Sequence, residues 1–159
     1  MPRVTAAIGF CLFVMIAAWA QSVRAEPVQK HYTDDDLQCL AATMYFEARA
    51  EGTEGMRAVA AVVLNRVRHP AFPQTICGVV HQGGEQAGCQ FSYWCDGKSD
   101  IPKNAKVWTE AKALAREILS ASIADPTGGA LFFHAKFIPT PWVAKRTRTV
   151  QIGRHIFYR

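Results

Sequence analysis

Hydrophobic and polar positions follow a helical period from Asp34 to about Ala50. Thr33 precedes this stretch as a potential helix cap, and the three aspartates after it favour the positive end of a helix dipole. The apolar residues recur at spacings of three and four, at Leu37, Leu40, Ala41, Met44 and Ala48. This pattern predicts an amphipathic helix with one buried stripe.

Two later stretches have the same period, and each predicts one further helix. The first, MRAVAAVVLNRVRHP, follows a break at Gly52 to Gly55 and ends at His69 and Pro70. Its apolar face carries Val59, Val63 and Val67. The second, NAKVWTEAKALAREILSA, has its apolar face at Val107, Ala111, Leu114, Ala115 and Ile118.

The segment from Ala71 to Pro102 has no such period and is rich in glycine, cysteine, glutamine and aromatic residues, which predicts loops. After the third helix, the pattern changes to short runs typical of strands. These runs are ALFFHA, RTRTVQI and HIFYR, with a turn at Gly153 between the last two. We therefore predict an α+β fold with helices first and a small C-terminal antiparallel sheet.

The N-terminus differs from the rest of the chain. Arg3 precedes an apolar run from Ala6 to Ala20, and small residues at Val23 and Ala25 follow it. This is the pattern of a signal peptide cleaved after Ala25, and the run is shorter than the ~20 residues of a membrane-spanning helix. We expect export through the bacterial inner membrane to the periplasm or beyond, without stable membrane insertion afterwards. Residues 26–159 would then form a single domain.

The net charge is mildly positive. It is +5 for the whole chain, and loss of Arg3 and Arg24 with the signal peptide leaves 16 basic against 13 acidic residues. Much of the excess lies in the tail AKRTRTVQIGRHIFYR, which is either a solvated basic edge or a surface for an anionic polymer. No basic run with interleaved aromatic residues is long enough to favour nucleic acid as a partner.

Four cysteines remain after the predicted cleavage: Cys39, Cys77, Cys89 and Cys95. An even number in an exported chain predicts two disulfides, and three pairings are possible. A zinc site is the alternative, but no two of these cysteines have the C-x-x-C spacing. We therefore expect no metal.

Glu47 lies on the buried stripe of the first helix, three residues after Met44. In one interpretation it pairs with Arg57 or Arg66 at the edge of the stripe. In the other it is a partly desolvated general acid, whose pKa is raised by burial and by repulsion from Glu51 one turn away. Such a carboxyl could deliver a proton to a leaving oxygen, as glycoside cleavage requires.

Three blocks of sequence carry a resemblance to a known family. In order, they are CLAATMYFEARAEGTEGMRAVAAVVLNRVRHPAFPQTICGVVHQ, CQFSYWCDG and GALFFHAKFIPTPWVAKRTRTVQIGRHIFY. Together they resemble the cell wall hydrolase family typified by the spore-cortex-lytic enzyme SleB, from about Leu37 to Tyr158. The resemblance implies a lysozyme-like fold, peptidoglycan glycan strands as substrate and Glu47 as catalytic acid. The family commonly reads E-A-R-G-E, whereas this chain has Ala50 in place of the glycine.

The ordinary retaining and inverting glycosidase mechanisms need a second carboxylate. None is convincing in this sequence, because Glu51 lies on the same helix and Glu85, Asp96 and Asp100 lie in the loop segment. The resemblance instead implies a lytic transglycosylase that uses one carboxyl and no cofactor. In that chemistry, the glutamate protonates the glycosidic oxygen and then helps the muramoyl 6-hydroxyl close a 1,6-anhydro ring.

Several residues are predicted to bind substrate beside Glu47. Gln90 and Ser92 can hydrogen-bond amide and hydroxyl groups, and Phe91 offers a flat face to a sugar ring; a core position beside a disulfide is the alternative for Phe91 and Trp94. The family resemblance favours Gln90, Phe91 and Ser92 as residues of the cleft. Asn65 suits either a cleft or a solvent-facing helix position. The lysozyme-like fold that the resemblance implies would also place His134 and Tyr158, from strands, opposite Glu47.

Two other functions are consistent with the sequence, and we expect a monomer in each case. One is a cysteine peptidase or amidase acting on peptidoglycan stem peptides, with a cysteine and His134 as the catalytic pair. An even number of exported cysteines disfavours the free thiol it needs. The other is a wall-binding module without activity, in which Glu47 only pairs with an arginine.

Overall fold

The computed structural model describes residues 32–84, 88–121 and 123–159. The predicted signal peptide and Glu85 lie outside these ranges. Within them, four α-helices precede a three-stranded antiparallel sheet, so the predicted α+β order is confirmed. The elements are α1 Asp34–Ala48, α2 Gly52–Arg68, α3 Ile76–Val80, α4 Ala105–Ser120, β1 Phe132–Ala135, β2 Arg148–Ile152 and β3 His155–Tyr158.

The described ranges contain no helix with the length and apolar composition needed to cross a membrane.

Helix α1 begins with a complete capping box at Thr33. Its hydroxyl accepts a hydrogen bond from the backbone of Asp36 at 3.0 Å, and the Asp36 carboxylate accepts one from the Thr33 backbone at 3.2 Å. These bonds satisfy donors that a helix start leaves unpaired. The helix ends at Ala48, slightly earlier than predicted, and continues as a single 3-10 turn over Arg49–Glu51.

Helix α2 begins at Gly52, so the predicted break through Gly55 is wrong. The chain reverses at Gly52, where φ is +68°, a value that glycine adopts without strain. Gly55 lies inside the first turn of α2, where a β-carbon would collide with the Glu51 side chain. Two glycines with different roles therefore resembled one continuous break in the helical pattern.

The main core lies where α1 packs against α2, α3 and α4. The apolar stripe predicted for α1 is buried at Leu40, Ala41, Met44 and Ala48. Tyr45 is buried as well, and its hydroxyl accepts a hydrogen bond from the Asn104 backbone at 2.9 Å, next to the start of α4. Burial of each large apolar side chain stabilises the fold by roughly 1.5–3 kcal/mol. The buried side chains of Met44, Tyr45 and Ala48 therefore anchor the last turn of α1, which carries Glu47, in the core.

The segment predicted as loops contains one short helix, α3, capped by the Thr75 hydroxyl. Five residues are too few to show a helical period in sequence. Both predicted disulfides form in this region. Cys39–Cys77 joins α1 to α3, and Cys89–Cys95 closes a short loop that contains the 3-10 turn Ser92–Cys95.

The sheet has the strand order β1-β3-β2, with all neighbours antiparallel. The predicted turn at Gly153, where φ is +56°, joins β2 to β3. Ile152 and Phe157 are buried against Ala58 and Val62 of α2. The hairpin of β2 and β3 is therefore fixed against the helix that follows the Glu47 turn.

Candidate active site

A pocket of about 320 Å³ lies beside the last turn of α1. One wall comes from that turn, and the other comes from the loop closed by Cys89–Cys95 and the segment after it. The lining residues are Phe46, Glu47, Arg49, Ser92, Tyr93, Asp96, Lys98, Ser99, Asp100, Ile101 and Lys103. The first and second blocks of the sequence resemblance thus meet at this pocket.

The Glu47 carboxyl group is largely buried in the pocket wall. Burial raises its pKa from an ordinary 4.5 to about 7, although a hydrogen bond from the Ser92 backbone N–H favours the charged form and limits the rise. Its Oε1 atom is buried and has no hydrogen-bond partner among the described residues. At neutral pH the group is therefore divided between acid and carboxylate, and one of its oxygens has no partner among the described residues.

The structural interpretation of Glu47, pairing with an arginine, is wrong. Arg57 instead forms an ion pair with Glu117 at 2.9 Å. Arg66 is buried, and its Nε donates to the carbonyl oxygen of Leu131 at 2.7 Å. Among the described residues, Glu47 therefore has no neutralising partner of the kind that a purely structural buried carboxylate would need.

The expected repulsion between Glu51 and Glu47 is also absent. Glu51 turns towards the β2–β3 turn, where its side chain is only 7% exposed and accepts hydrogen bonds from the backbone and guanidinium of Arg154 at 3.0 and 2.6 Å. Burial raises the pKa of Glu51, but these bonds outweigh it and hold the pKa below the ordinary value. Glu51 thus connects the α1–α2 junction to the sheet.

Tyr93 fixes the pocket loop to α1. Its hydroxyl lies 3.0 Å from the Thr43 hydroxyl, which itself donates to the Cys39 carbonyl oxygen at 2.9 Å, so Tyr93 is the donor. The Tyr93 ring stacks on Phe46 with centroids 4.8 Å apart. Burial raises the pKa of Tyr93 to about 12, with smaller contributions in the same direction from the charges of Glu47 and Asp100. Tyr93 therefore stays neutral and holds Ser92 beside Glu47.

Of the residues predicted in the CQFSYWCDG block, only Ser92 lines this pocket. Gln90 is half-buried, and its backbone N–H donates to the Gln82 carbonyl oxygen at 2.9 Å. Phe91 is 2% exposed and packs near Phe133, with ring centroids 6.5 Å apart. The Phe91 ring thus belongs to the core, because the disulfide loop turns it inward, and it offers no face to a sugar.

Asn65, His134 and Tyr158 are not among the residues that line the Glu47 pocket. Asn65 donates to the Asp125 carboxylate at 2.9 Å and to the Ala130 carbonyl oxygen at 3.1 Å. His134 Nε2 lies 3.1 Å from the Tyr158 hydroxyl, and the two rings stack. The Asn65 contacts position the chain before β1. His134 and Tyr158 form a polar pair across β1 and β3.

Several pocket residues were not predicted, and most of them follow the second disulfide in DGKSDIPK. Asp96 accepts hydrogen bonds from the backbone and the ammonium of Lys98, at 2.9 and 3.2 Å, which hold its pKa below the ordinary value. Asp100, Ile101 and Lys103 also line the pocket. The dense charges in this stretch were the only sequence signal, and they are equally typical of an exposed loop.

Ala50, which replaces the family glycine, causes no strain. It lies in the 3-10 turn, and every described residue with positive φ is a glycine. Among the described residues, no group of three or more His, Cys, Asp or Glu side chains could hold a metal ion.

Comparison with known proteins agrees with the sequence resemblance. The sequence profile of a family described as Cell Wall Hydrolase matches residues 50–158. The spore cortex-lytic enzyme of Oceanobacillus iheyensis is 36% identical over 133 residues, which are 82% of this chain and 44% of that protein. The Bacillus subtilis spore cortex-lytic enzyme is 33% identical over 129 residues, or 79% and 38% of the two chains. The chain thus spans less than half the length of these relatives.

Solved structures agree in fold as well. The catalytic domain of the SleB protein from Bacillus anthracis superposes with a TM-score of 0.65 at 32% identity, covering 83% of this chain and 100% of that domain. The catalytic domain of Bacillus cereus SleB gives 0.65 at 31% identity, with 85% and 99% covered. The chain therefore belongs to the cell wall hydrolase family.

Proposed function

We propose that this protein cleaves the glycan strands of peptidoglycan as a lytic transglycosylase, with Glu47 as its single catalytic acid and base. One observation carries the proposal. The Glu47 carboxyl lines an open pocket, has a pKa of about 7 and presents a buried oxygen without a partner among the described residues. A group that must first give and then take a proton works best with a pKa near the working pH.

The relatives support the same chemistry. The Bacillus anthracis domain, which this chain covers completely, is described as a germination-specific lytic transglycosylase, and the other relatives are spore cortex-lytic enzymes. The family profile begins at Ala50, just after Glu47. The role of Glu47 therefore rests on the pocket geometry and the sequence resemblance.

The reaction follows from one carboxyl group. Protonated Glu47 gives its proton to the bridging oxygen as the bond from that oxygen to muramoyl C1 breaks, and the glucosamine end leaves as an alcohol. The Glu47 carboxylate, stabilised by the Ser92 N–H, then takes the proton of the muramoyl 6-hydroxyl. The hydroxyl oxygen attacks C1 and closes the 1,6-anhydro ring, which returns Glu47 to its acid form.

Hydrolysis is the second candidate, because Asp96 and Asp100 line the same pocket as Glu47. Either could activate water as the second carboxylate of an ordinary glycosidase. Asp96 is the weaker candidate, since Lys98 already occupies both of its oxygens. A mass spectrum of the released fragments distinguishes the two reactions, because an anhydro end lacks the water that hydrolysis adds.

Two alternatives remain: an enzyme that acts on stem peptides and a wall-binding module without activity. A cysteine peptidase or amidase is not favoured, because Cys39, Cys77, Cys89 and Cys95 all form disulfides. A binding module without activity would leave purified peptidoglycan intact. Release of soluble fragments from sacculi therefore tests the proposal against pure binding.

We also propose that the chain reaches the wall by export, as the signal-like sequence before Glu26 suggests. The extracellular or periplasmic location is consistent with its two disulfides, which persist in oxidising compartments. For substrate contacts near the acid, we propose Ser92 and the charged residues of the pocket. Contacts from Gln90, Asn65, His134 and Tyr158 would require the glycan to extend beyond this pocket.

A further inference from the structure

The segment between β1 and β2 carries an exposed apolar cluster on its surface. Phe137 is 66% exposed, Ile138 53% and Trp142 36%, and they are three of the four large apolar side chains exposed in the described ranges. We call residues 136–148 the cationic apolar segment. Single exposed apolar residues are common, but a cluster within one short segment indicates a contact surface.

The cationic apolar segment is held in place by its own hydrogen bonds. The Ile138 backbone donates to the Ala135 carbonyl oxygen at 2.9 Å, and the Thr140 hydroxyl donates to the Ile138 carbonyl oxygen at 2.8 Å. The Trp142 ring packs near the rings of Phe132, His134 and Tyr158. Because the segment is ordered before binding, little conformational entropy of its backbone is lost when a partner binds to Phe137 and Ile138.

The charge around this cluster has one sign. Residues 126–159 contain six lysines and arginines and no aspartate or glutamate. Arg154 pairs with Glu51, but the basic side chains of the cationic apolar segment form no ion pair with a described carboxylate. They are Lys136, Lys145, Arg146 and Arg148. The segment therefore combines exposed apolar groups with cations that lack anionic partners.

We propose that the cationic apolar segment docks the protein on a membrane surface that carries anionic lipid head groups. Phe137 and Ile138 would enter the boundary between head groups and acyl chains, and the exposed side chains of Lys136, Lys145 and Arg148 would lie over the lipid phosphates. Arg146 is half-buried and stacks on the Phe132 ring, so it takes no part in this contact. A glycan would stack on the exposed rings of Phe137 and Trp142 but would leave Ile138 unused, because Ile138 offers neither a flat face nor a hydrogen-bonding group to a sugar. This surface contact is separate from the Glu47 chemistry and leaves the chain on the bilayer without spanning it.

Cosedimentation with vesicles tests this proposal. The full chain, expressed and processed by a bacterial host, is mixed with phosphatidylcholine vesicles with or without a minority of phosphatidylglycerol. We expect binding about tenfold tighter to the anionic vesicles at low salt. Phe137→Ser/Ile138→Ser should lose about tenfold of this affinity, and Lys136→Gln/Lys145→Gln should lose most of the preference for anionic lipid. The control Lys106→Gln/Arg116→Gln removes two exposed basic side chains of α4, which lie outside this segment and do not line the Glu47 pocket, and it should bind normally.

All variants share one N-terminus, so any residual leader contributes equally to each. Melting curves identify a variant that fails to fold. Equal binding to both vesicle types, or normal binding by folded Phe137→Ser/Ile138→Ser, would overturn the proposal. Binding to purified sacculi that this variant loses, without binding to vesicles, would also overturn it and assign the segment to the wall.

Discussion

Burial and a backbone donor act in opposite directions on the Glu47 carboxyl. Burial alone disfavours the charged form, whereas the Ser92 N–H stabilises it, and the two effects together give a pKa of about 7. A fully buried, unsolvated carboxyl would hold its proton too firmly to act as a base. An exposed one would lose its proton too early to act as an acid at neutral pH.

Replacing Glu47 with glutamine should remove most of the activity. The amide has nearly the same size but cannot donate the proton, and the loss of a general acid lowers the rate by on the order of a hundredfold to ten-thousandfold. Release of soluble fragments from sacculi measures this. Glu51→Gln is the matched control, because Glu51 is a neighbouring buried carboxylate that contacts Arg154 rather than the pocket. Equal losses in the two variants would contradict the assignment of the acid.

The same substitution should stabilise the fold at alkaline pH. Between 4.5 and about 7, folded Glu47 binds more protons than the unfolded chain does, so the free energy of unfolding falls as the pH rises through this window. The full loss is about 3 kcal/mol, since one pKa unit corresponds to about 1.4 kcal/mol. Melting curves should therefore show Glu47→Gln above the native protein at about pH 8 and close to it at about pH 4. No difference at the higher pH would mean that Glu47 is solvated.

Residue roles were predictable only where the local pattern sets the environment. The position of Glu47 on a buried stripe was predictable from the apolar pattern, and that stripe is buried in the structure, whereas its proposed role as the acid came from the family resemblance. Phe91 was misassigned because its orientation depends on the Cys89–Cys95 loop, which no period in the sequence reveals. Asp100 and Lys103 reach the pocket through tertiary folding of an irregular segment, so sequence alone could not place them beside Glu47.

At the level of elements, the three long helices and the strands were predictable, and the short helix α3 was not. Long helices repeat their apolar positions over several turns, whereas Ile76–Val80 covers little more than one turn. The break between α1 and α2 was placed too far along the chain. Gly55 is needed to accommodate the Glu51 side chain and not to end a helix.

The two disulfides should contribute differently to stability and activity. Cys39–Cys77 has a sequence separation of 38 and Cys89–Cys95 one of 6. Chain-entropy arguments then give about 4 and about 2 kcal/mol of stabilisation. Cys39→Ser/Cys77→Ser should therefore lower the melting temperature more. Cys89→Ser/Cys95→Ser should lower kcat/KM more, because its loop supplies the Ser92 N–H to Glu47 and the Tyr93 hydroxyl that contacts Thr43.

Melting curves and fragment release below both melting temperatures measure the two effects. If the Cys89 and Cys95 variant kept native kcat/KM, the loop would not position the acid. If it melted lower than the Cys39 and Cys77 variant, the entropy argument would fail.

At the scale of the whole molecule, the helices hold Glu47, the disulfide loop supplies its hydrogen-bond donor, and the sheet stabilises the turn that follows Glu47. Glu51 makes the last connection, since its carboxylate binds Arg154 at the β2–β3 turn. The order of helices and strands was predictable from periodicity. Their mutual packing was not, because contacts such as Glu51 with Arg154 join residues that are distant in sequence.

Export predicts a defined N-terminus. The full chain expressed in a bacterial host should yield a secreted form that begins at Glu26, because Val23 and Ala25 precede the predicted cleavage point. N-terminal sequencing and intact mass measure this directly. The mass should also lack four hydrogens, as two disulfides require. A start at Met1 or four titratable thiols would contradict the predicted export.

The central claim is that one carboxyl group suffices because the substrate supplies its own nucleophile. Single replacements Asp96→Asn and Asp100→Asn should then leave measurable activity in variants whose melting curves show a folded protein. The mass spectrum of fragments released from peptidoglycan by the native protein tests the claim most directly. We predict termini of 1,6-anhydromuramic acid. Reducing termini that carry an added water would contradict this and indicate hydrolysis with a second carboxylate.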